Sequence, residues 1–279
     1  MSSVSVITGG AGGMGQATAR VVGREHAVVL CDVRQDRLDT AAAVLRDDGI
    51  TATPVHCDVT DPQAVDRLFK ETAGIGELAS VIHTAGVSPS MGSAEYVMRT
   101  NAVGTVHVNE AFLRTAGAGA AIVNVASMAA HMLPAEMVRT NLFARALTDL
   151  DGFLSEMLAT CDAFPEEGRS GIAYALSKSF VKWYSAAQAE RFNARGLRIV
   201  SVSPGSIDTE MGRLEEQAGA GAMVADAAVP RWGTPEEMAE LLAFCASAKA
   251  SYLTGTDILN DGGVIASMTE RARAAAETQ

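Results

Sequence analysis

Basic residues are scarce in this chain. Twenty-two Lys and Arg stand against 33 Asp and Glu, a formal charge of −11, and no basic run offsets it. Aromatic residues make up only 5% and do not interleave with Lys or Arg. Such a surface repels phosphodiester backbones and anionic bilayers, so neither nucleic acid nor a membrane surface is expected as a partner. Cysteine is sparse too. Cys31, Cys57, Cys161 and Cys245 lie far apart with no CxxC pair. That spacing excludes a disulfide framework and a metal site, and reads as reduced, buried small hydrophobes. The opening residues MSSVSVITGG lack a basic n-region and run straight into a strand pattern, unlike a secretory signal. Residues 115–135 carry no Asp, Glu, Lys or Arg, nearly a membrane-span length, yet Asn124, Ser127, His131 and Pro134 interrupt them. A buried strand and loop explain that stretch better, and the cytoplasm is the expected address.

What is present is a globular composition, 48% hydrophobic and 20% charged over 279 residues. Short apolar runs at 4–8, 27–31, 54–57, 78–83, 121–125 and 197–202 read as strands buried on both faces, with Ile258 and Leu259 marking a last one. Between them stand stretches of 3.6-residue periodicity such as 35–48 and 61–73, the second opened by Asp61-Pro62, a cap followed by proline at the first helical position. Alternation of this kind predicts one α/β domain: a Rossmann-like, doubly wound parallel sheet with helices on both faces. Two stretches depart from the rhythm. Residues 131–170 carry Phe143, Leu147, Leu150, Leu154, Met157 and Leu158 at helical spacing and read as a helical insert. Residues 211–230, rich in Ala and Gly, read as a mobile substrate loop or lid, and 264–279 as a C-terminal tail.

The first strand runs directly into Thr8-Gly9-Gly10-Ala11-Gly12-Gly13-Met14-Gly15, with a helical pattern from Gln16. A phosphate needs a tight turn, closely approaching amides and the positive end of a helix there, and glycine supplies the first two. Asp32 stands just past the second strand, seventeen residues after Gly15, where an acid can hold the ribose hydroxyls of a dinucleotide. A carboxylate there attracts a diol and repels a 2′-phosphate by roughly 2–4 kcal/mol, which favours NAD. Arg34, close by, works against this preference.

Further along, Tyr174-Ala-Leu-Ser-Lys178 places a phenol and an ammonium on one helix face. A tyrosine acting as acid and base near neutrality must fall about 3 pKa units, which a nearby cation can largely provide. With this motif the sequence resembles the short-chain dehydrogenase/reductases, the branch with a TGxxxGxG loop and a YxxxK pair. Thr8, Gly9, Gly13 and Gly15 match the loop, with Met14 inside it. Asp58, followed by Val59, resembles the acid that meets the adenine, and His83-Thr84-Ala85-Gly86 stands where the family usually has Asn-Asn-Ala-Gly. Asn101 matches a helix asparagine, Ser127 the catalytic serine, and Pro204, Gly205, Ile207 and Thr209 the segment beside the nicotinamide.

The resemblance implies NAD(H)-dependent interconversion of a secondary alcohol and a ketone. Tyr174 would exchange the substrate proton, Ser127 hold the same oxygen, Lys178 lower the phenol's pKa and bind the nicotinamide ribose, and Asn101 hold a relay water. It also implies a homotetramer or homodimer, with helices around Asn101 and Tyr174 packing across subunits. His83 is read as structural. The 47-position step from Ser127 to Tyr174 is far longer than the family's usual dozen or so. The insert within it is expected either to wall the pocket together with 211–230, favouring a hydrophobic hydroxysteroid- or terpenoid-like substrate, or simply to add packing. A 3-oxoacyl-thioester reductase and a non-catalytic NAD-binding redox sensor are the alternatives.

Overall fold

A computed structural model describes residues 2–277. The end of the tail read at 264–279 therefore lies outside the described residues. Seven strands form one parallel sheet: β1 (Ser3–Thr8), β2 (Ala27–Asp32), β3 (Ala52–His56), β4 (Glu77–His83), β5 (Ala121–Val125), β6 (Arg198–Pro204) and β7 (Asp257–Asn260). Their order is β3-β2-β1-β4-β5-β6-β7. The direction of winding reverses between β1 and β4, which leaves a crevice at their carboxyl ends. β1, β5 and β6 are buried almost throughout, because helices cover both faces. β3 and β7 are only half-buried, a correction for the 54–57 run: an edge strand has a neighbour on one side only.

On one face lie α1 (Gly13–Val22), α2 (Gln35–Asp47) and α12 (Pro235–Ala246), which close a core through Leu38, Leu45, Met238 and Leu242. On the other lie α3 (Pro62–Ile75), α4 (Ala94–Met98), α5 (Gly104–Thr115) and α8 (Glu166–Ala187). Asp61 accepts a hydrogen bond from the Gln63 amide ahead of Pro62, so α3 starts where its cap requires. α4 passes into α5 through a π turn over Arg99–Val103 that carries Asn101. The remaining helices are α6 (Thr140–Arg145), α7 (Leu150–Asp162), α9 (Ala189–Asn193), α10 (Glu210–Leu214), α11 (Gly221–Asp226) and α13 (Val264–Glu277).

The insert is a helix pair, α6 and α7, that packs on α8 and α4. Phe143 meets Phe180 edge-on at 5.6 Å, and Phe153 lies 4.7 Å from the same ring. Phe143, Phe153 and Met157 are fully buried, whereas Leu147 is exposed and Leu150 and Leu158 are half-buried. The 211–230 stretch is a second correction. It carries two short helices, α10 and α11, separated by a kink at Gly219 (φ +121°), since its alanines favour helix while its glycine breaks it.

Candidate active site

The crevice begins at the glycine loop. Gly9 adopts φ +64°, and a Cβ there would lie 2.8 Å from the Ala85 amide nitrogen, so the loop and the exit of β4 touch backbone to backbone. Thr8 makes that contact possible from beneath. Its hydroxyl meets His83 Nδ1 at 2.7 Å and accepts from the Ala85 amide at 3.3 Å. Thr8 is thus fully buried and turned away from the cleft, so it supports the loop instead of facing a cofactor. α1 then starts at Gly13 with no side-chain cap and no acid in its first turn, which leaves its amides free for an anion. A Cβ on Gly13 would stand 2.9 Å from Thr209 Cγ2, filling the gap between the loop and the exit of β6.

A cavity of about 530 Å³ follows, lined by Gly9, Gly13, Met14, Gly15, Asp32, Asp58, Val59, Ala85, Gly86 and Thr209. Asp32 Oδ2 accepts from the Ala11 amide at 3.2 Å and Oδ1 from the Arg34 amide at 3.2 Å, so its carboxylate is fixed at the far end. The Arg34 guanidinium is turned to Asp36, 3.0 Å away, and Arg37, also on the lining, pairs with Glu210 at 2.7 Å. Asp58 Oδ1 accepts from the amide and hydroxyl of Thr60, both at 2.8 Å. Thr100 and Ser206 line this crevice and its continuation, and their hydroxyls are buried without a partner among the described residues. A bare helix N-terminus, a cradle that a Cβ would fill and orphaned hydroxyls on the walls all fit a dinucleotide.

Thr84, Gly86, Met14 and Thr209 also border a second cavity of about 270 Å³ that holds Ser127, Tyr174, Lys178, Pro204, Gly205 and Ile207. The Lys178 ammonium stands 5.8 Å from the Tyr174 ring centroid and donates to the Val125 carbonyl at 2.9 Å, so α8 is tied to the end of β5. Burial lowers the Lys178 pKa to about 8. The phenol departs from expectation. Burial raises its pKa above the ordinary value, the Ser127 hydroxyl draws it partly back, and the Glu215 carboxylate pushes it up again. The lowering expected from Lys178 is not seen in the chain alone, where desolvation is the larger effect.

Asn101 lines neither cavity. It is buried in the π turn, where Oδ1 accepts from the Val87 amide at 2.8 Å and Nδ2 donates to the Val87 carbonyl at 3.0 Å. Its Oδ1 and Lys178 Nζ flank the same spot above Gly86. His83 is buried between Thr8 and Thr105, and burial first, with the Lys178 charge second, lowers its pKa to about 3. It is a neutral structural bridge.

Comparison with known proteins agrees with this geometry. The short chain dehydrogenase family model matches residues 3–139, and one described as enoyl-(acyl carrier protein) reductase matches 159–265. The short-chain dehydrogenase/reductase bsc3 of Alternaria brassicicola is 31% identical over 270 residues, covering 95% of this chain and 97% of that protein. The chain is a short-chain dehydrogenase/reductase. The cis-4-hydroxycyclohexanecarboxylate dehydrogenase of Sinomonas cyclohexanicum is 30% identical over 94% of this chain and 96% of its own. A dehydrogenase/reductase from Sinorhizobium meliloti 1021 shares the fold, with a TM-score of 0.75 at 23% identity and 94% of each chain covered.

This short-chain dehydrogenase/reductase also holds site residues that sequence reasoning missed. Arg37 and Glu210 meet across 173 positions, and Glu215 reaches the tyrosine cavity from the end of α10. Met128, Met132, Met211 and Met223 join Trp232 on the walls of that cavity. Met132, at the start of the 131–170 insert, lines that cavity, whereas no residue of the helix pair α6 and α7 does, so the pair itself adds packing on α8. Behind Ser127, His131 Nε2 meets Asp257 at 2.8 Å and its Nδ1 meets Lys182 Nζ at 3.1 Å. Asp257 also accepts from Ser201 at 2.6 Å and Ser203 at 2.8 Å, which fastens the serine loop to α8 and β7. Among the described residues no helix is long and apolar enough to cross a membrane, and no group of His, Cys, Asp or Glu could hold a metal ion.

Proposed function

We propose that this enzyme interconverts a secondary alcohol and a ketone with NAD(H), on an uncharged hydrophobic substrate of terpenoid-like size. The observation that carries the reading is the placing of Tyr174, Ser127 and Lys178 on the wall of one methionine-rich cavity that opens into the glycine-loop cleft. A bound dinucleotide supplies or accepts the hydride. The chain's part is to position and to move a proton. Ser127 holds the substrate oxygen, Tyr174 gives or takes its proton, and the anchored Lys178 charge favours the phenolate when it forms. Asn101, which lies beside Lys178 at Gly86, would support a water that carries the proton onward. A cavity of about 270 Å³ is small among ligand pockets, which run roughly 300–1,000 Å³, and suits a terpenoid-like ring better than a hydroxysteroid.

NAD is the preferred cofactor in this reading. Asp32 borders the cleft while the nearest cations, Arg34 and Arg37, each face a carboxylate of their own. The stretch 211–230 serves as the substrate cover, because Met211, Ala218, Ala220 and Met223 all line the cavity. A homotetramer or homodimer would have to use surfaces other than the α8 face already covered by Phe143 and Phe153. Four free, buried thiols suit the reducing cytoplasm. Similarity to the 3-oxoacyl-[acyl-carrier-protein] reductase FabG of Pseudomonas aeruginosa, 26% identical over 94% of this chain, keeps 3-oxoacyl-thioester reduction as the second reading.

The test is NADH formation from a panel of cyclic secondary alcohols by the wild type and by Tyr174→Phe. Loss of the phenol is expected to lower kcat by about 10²–10⁴-fold, the usual scale for acid–base catalysis, with NAD affinity retained. A wild type that binds NAD but stays inert would refute the enzyme reading and favour a sensor. Faster reduction of acetoacetyl thioesters with NADPH would favour the acyl reductase.

A further inference from the structure

The tyrosine cavity carries three ionisable side chains: Tyr174, Lys178 and Glu215. Lys178 is engaged with the Val125 carbonyl beside the phenol. Glu215 comes from the cover, one residue beyond α10, and is half-buried. Its Oε1 accepts from the Ser90 amide at 3.0 Å, which pins α10 to the loop after β4 and fixes the carboxylate. Oε2 has no partner among the described residues. Among the described residues no ion pair reaches it: Arg213, the nearest cation in sequence, pairs with Asp208 at 2.7 Å and Glu216 at 3.3 Å and stacks 4.4 Å over Trp232. A carboxylate is thus fastened through one oxygen on a wall it shares with Met128, Met132, Met211, Met223 and Trp232. Its field reaches the reacting group, since it adds to burial in holding the Tyr174 phenol above its ordinary value.

We propose that Glu215 sets specificity: it accepts a hydrogen bond from a donor on the substrate remote from the reacting carbinol, and it turns away substrates that carry an anionic group. The physical basis is that a like charge brought beside a half-buried carboxylate is repelled with less screening than in open water, whereas a hydroxyl or amide donor gains a charge-assisted hydrogen bond. This rests on the alcohol–ketone reading and names the substrate class for it: uncharged, cyclic, with a second hydrogen-bond donor.

Two ligands of one shape test it, cyclohexanecarboxamide and cyclohexanecarboxylate, titrated by calorimetry into the full chain with saturating NAD⁺ at pH 7.5. Wild type is expected to bind the amide at least tenfold tighter than the acid. Glu215→Gln keeps an oxygen for the Ser90 amide and should bring the ratio to within threefold of unity, mainly by tightening the acid. An unchanged ratio in Glu215→Gln overturns the proposal, as does equal binding of the two by wild type or binding of neither. Neither probe has an oxidisable carbinol, so the ratio is measured without turnover. An enzyme inert toward alcohols would refute the reaction assigned above, while the ratio would still decide the role of Glu215.

Discussion

Lys178→Met should make the protein more stable near neutral pH and less stable in alkali. Lys178 is 6% exposed, and its pKa falls from 10.5 to about 8. At about 1.4 kcal/mol per unit, the charged form costs about 3 kcal/mol relative to a neutral amine in the same place. Methionine removes that cost but leaves the Val125 carbonyl without its donor, a loss of about 1–3 kcal/mol. The net gain below pH 8 is then about 1 kcal/mol. Between pH 8 and 10.5 the unfolded wild type holds a proton on this lysine that the folded chain has released, so wild-type stability rises with pH across that window. The variant lacks this rise. The difference between the two should therefore change sign near pH 9, with the variant about 2 kcal/mol the weaker at pH 10.5. Urea denaturation followed by far-UV circular dichroism at pH 7, 9 and 10 measures it, provided the m-values agree. A difference that stays constant with pH would refute the claim that the charge is desolvated. A stabilising substitution at a position proposed to serve turnover is what a site residue held against local stability predicts.

Asp32→Ser should move kcat/KM from NAD⁺ toward NADP⁺ by tens to hundreds of fold, from the roughly 2–4 kcal/mol between closely apposed like charges; an unchanged ratio would mean that the carboxylate does not face the ribose. Phe153→Ala should cost about 3–5 kcal/mol in denaturant unfolding, because the ring is fully buried against Phe180. The same variant should keep the wild-type preference among bulky ketones at 25 °C, and an altered preference would return the insert to the pocket wall.

Local chemistry made much of this protein legible in its sequence. The glycine loop could be read because only glycine serves where Gly9 takes φ +64° against the Ala85 backbone, and the strand before it and the helix after it are visible as pattern. Tyr174 and Lys178 share a face because four residues make about one helical turn, and the run at 121–125 is the strand itself. The tertiary structure decided what depends on distant partners. Thr8 turns inward because His83 and Ala85 meet it there. The insert lies on α8 because Phe180 and Trp183 offer it an apolar face, and the tyrosine's pKa rises because folding removes water from around it. Glu215 and Glu210 reach the cleft only because α10 folds back over it, where Glu215 meets Ser90 across 125 positions and Glu210 meets Arg37 across 173. Backbone conformation and periodicity are short-range and so are written locally; desolvation and the pairing of charges depend on what the whole chain brings alongside.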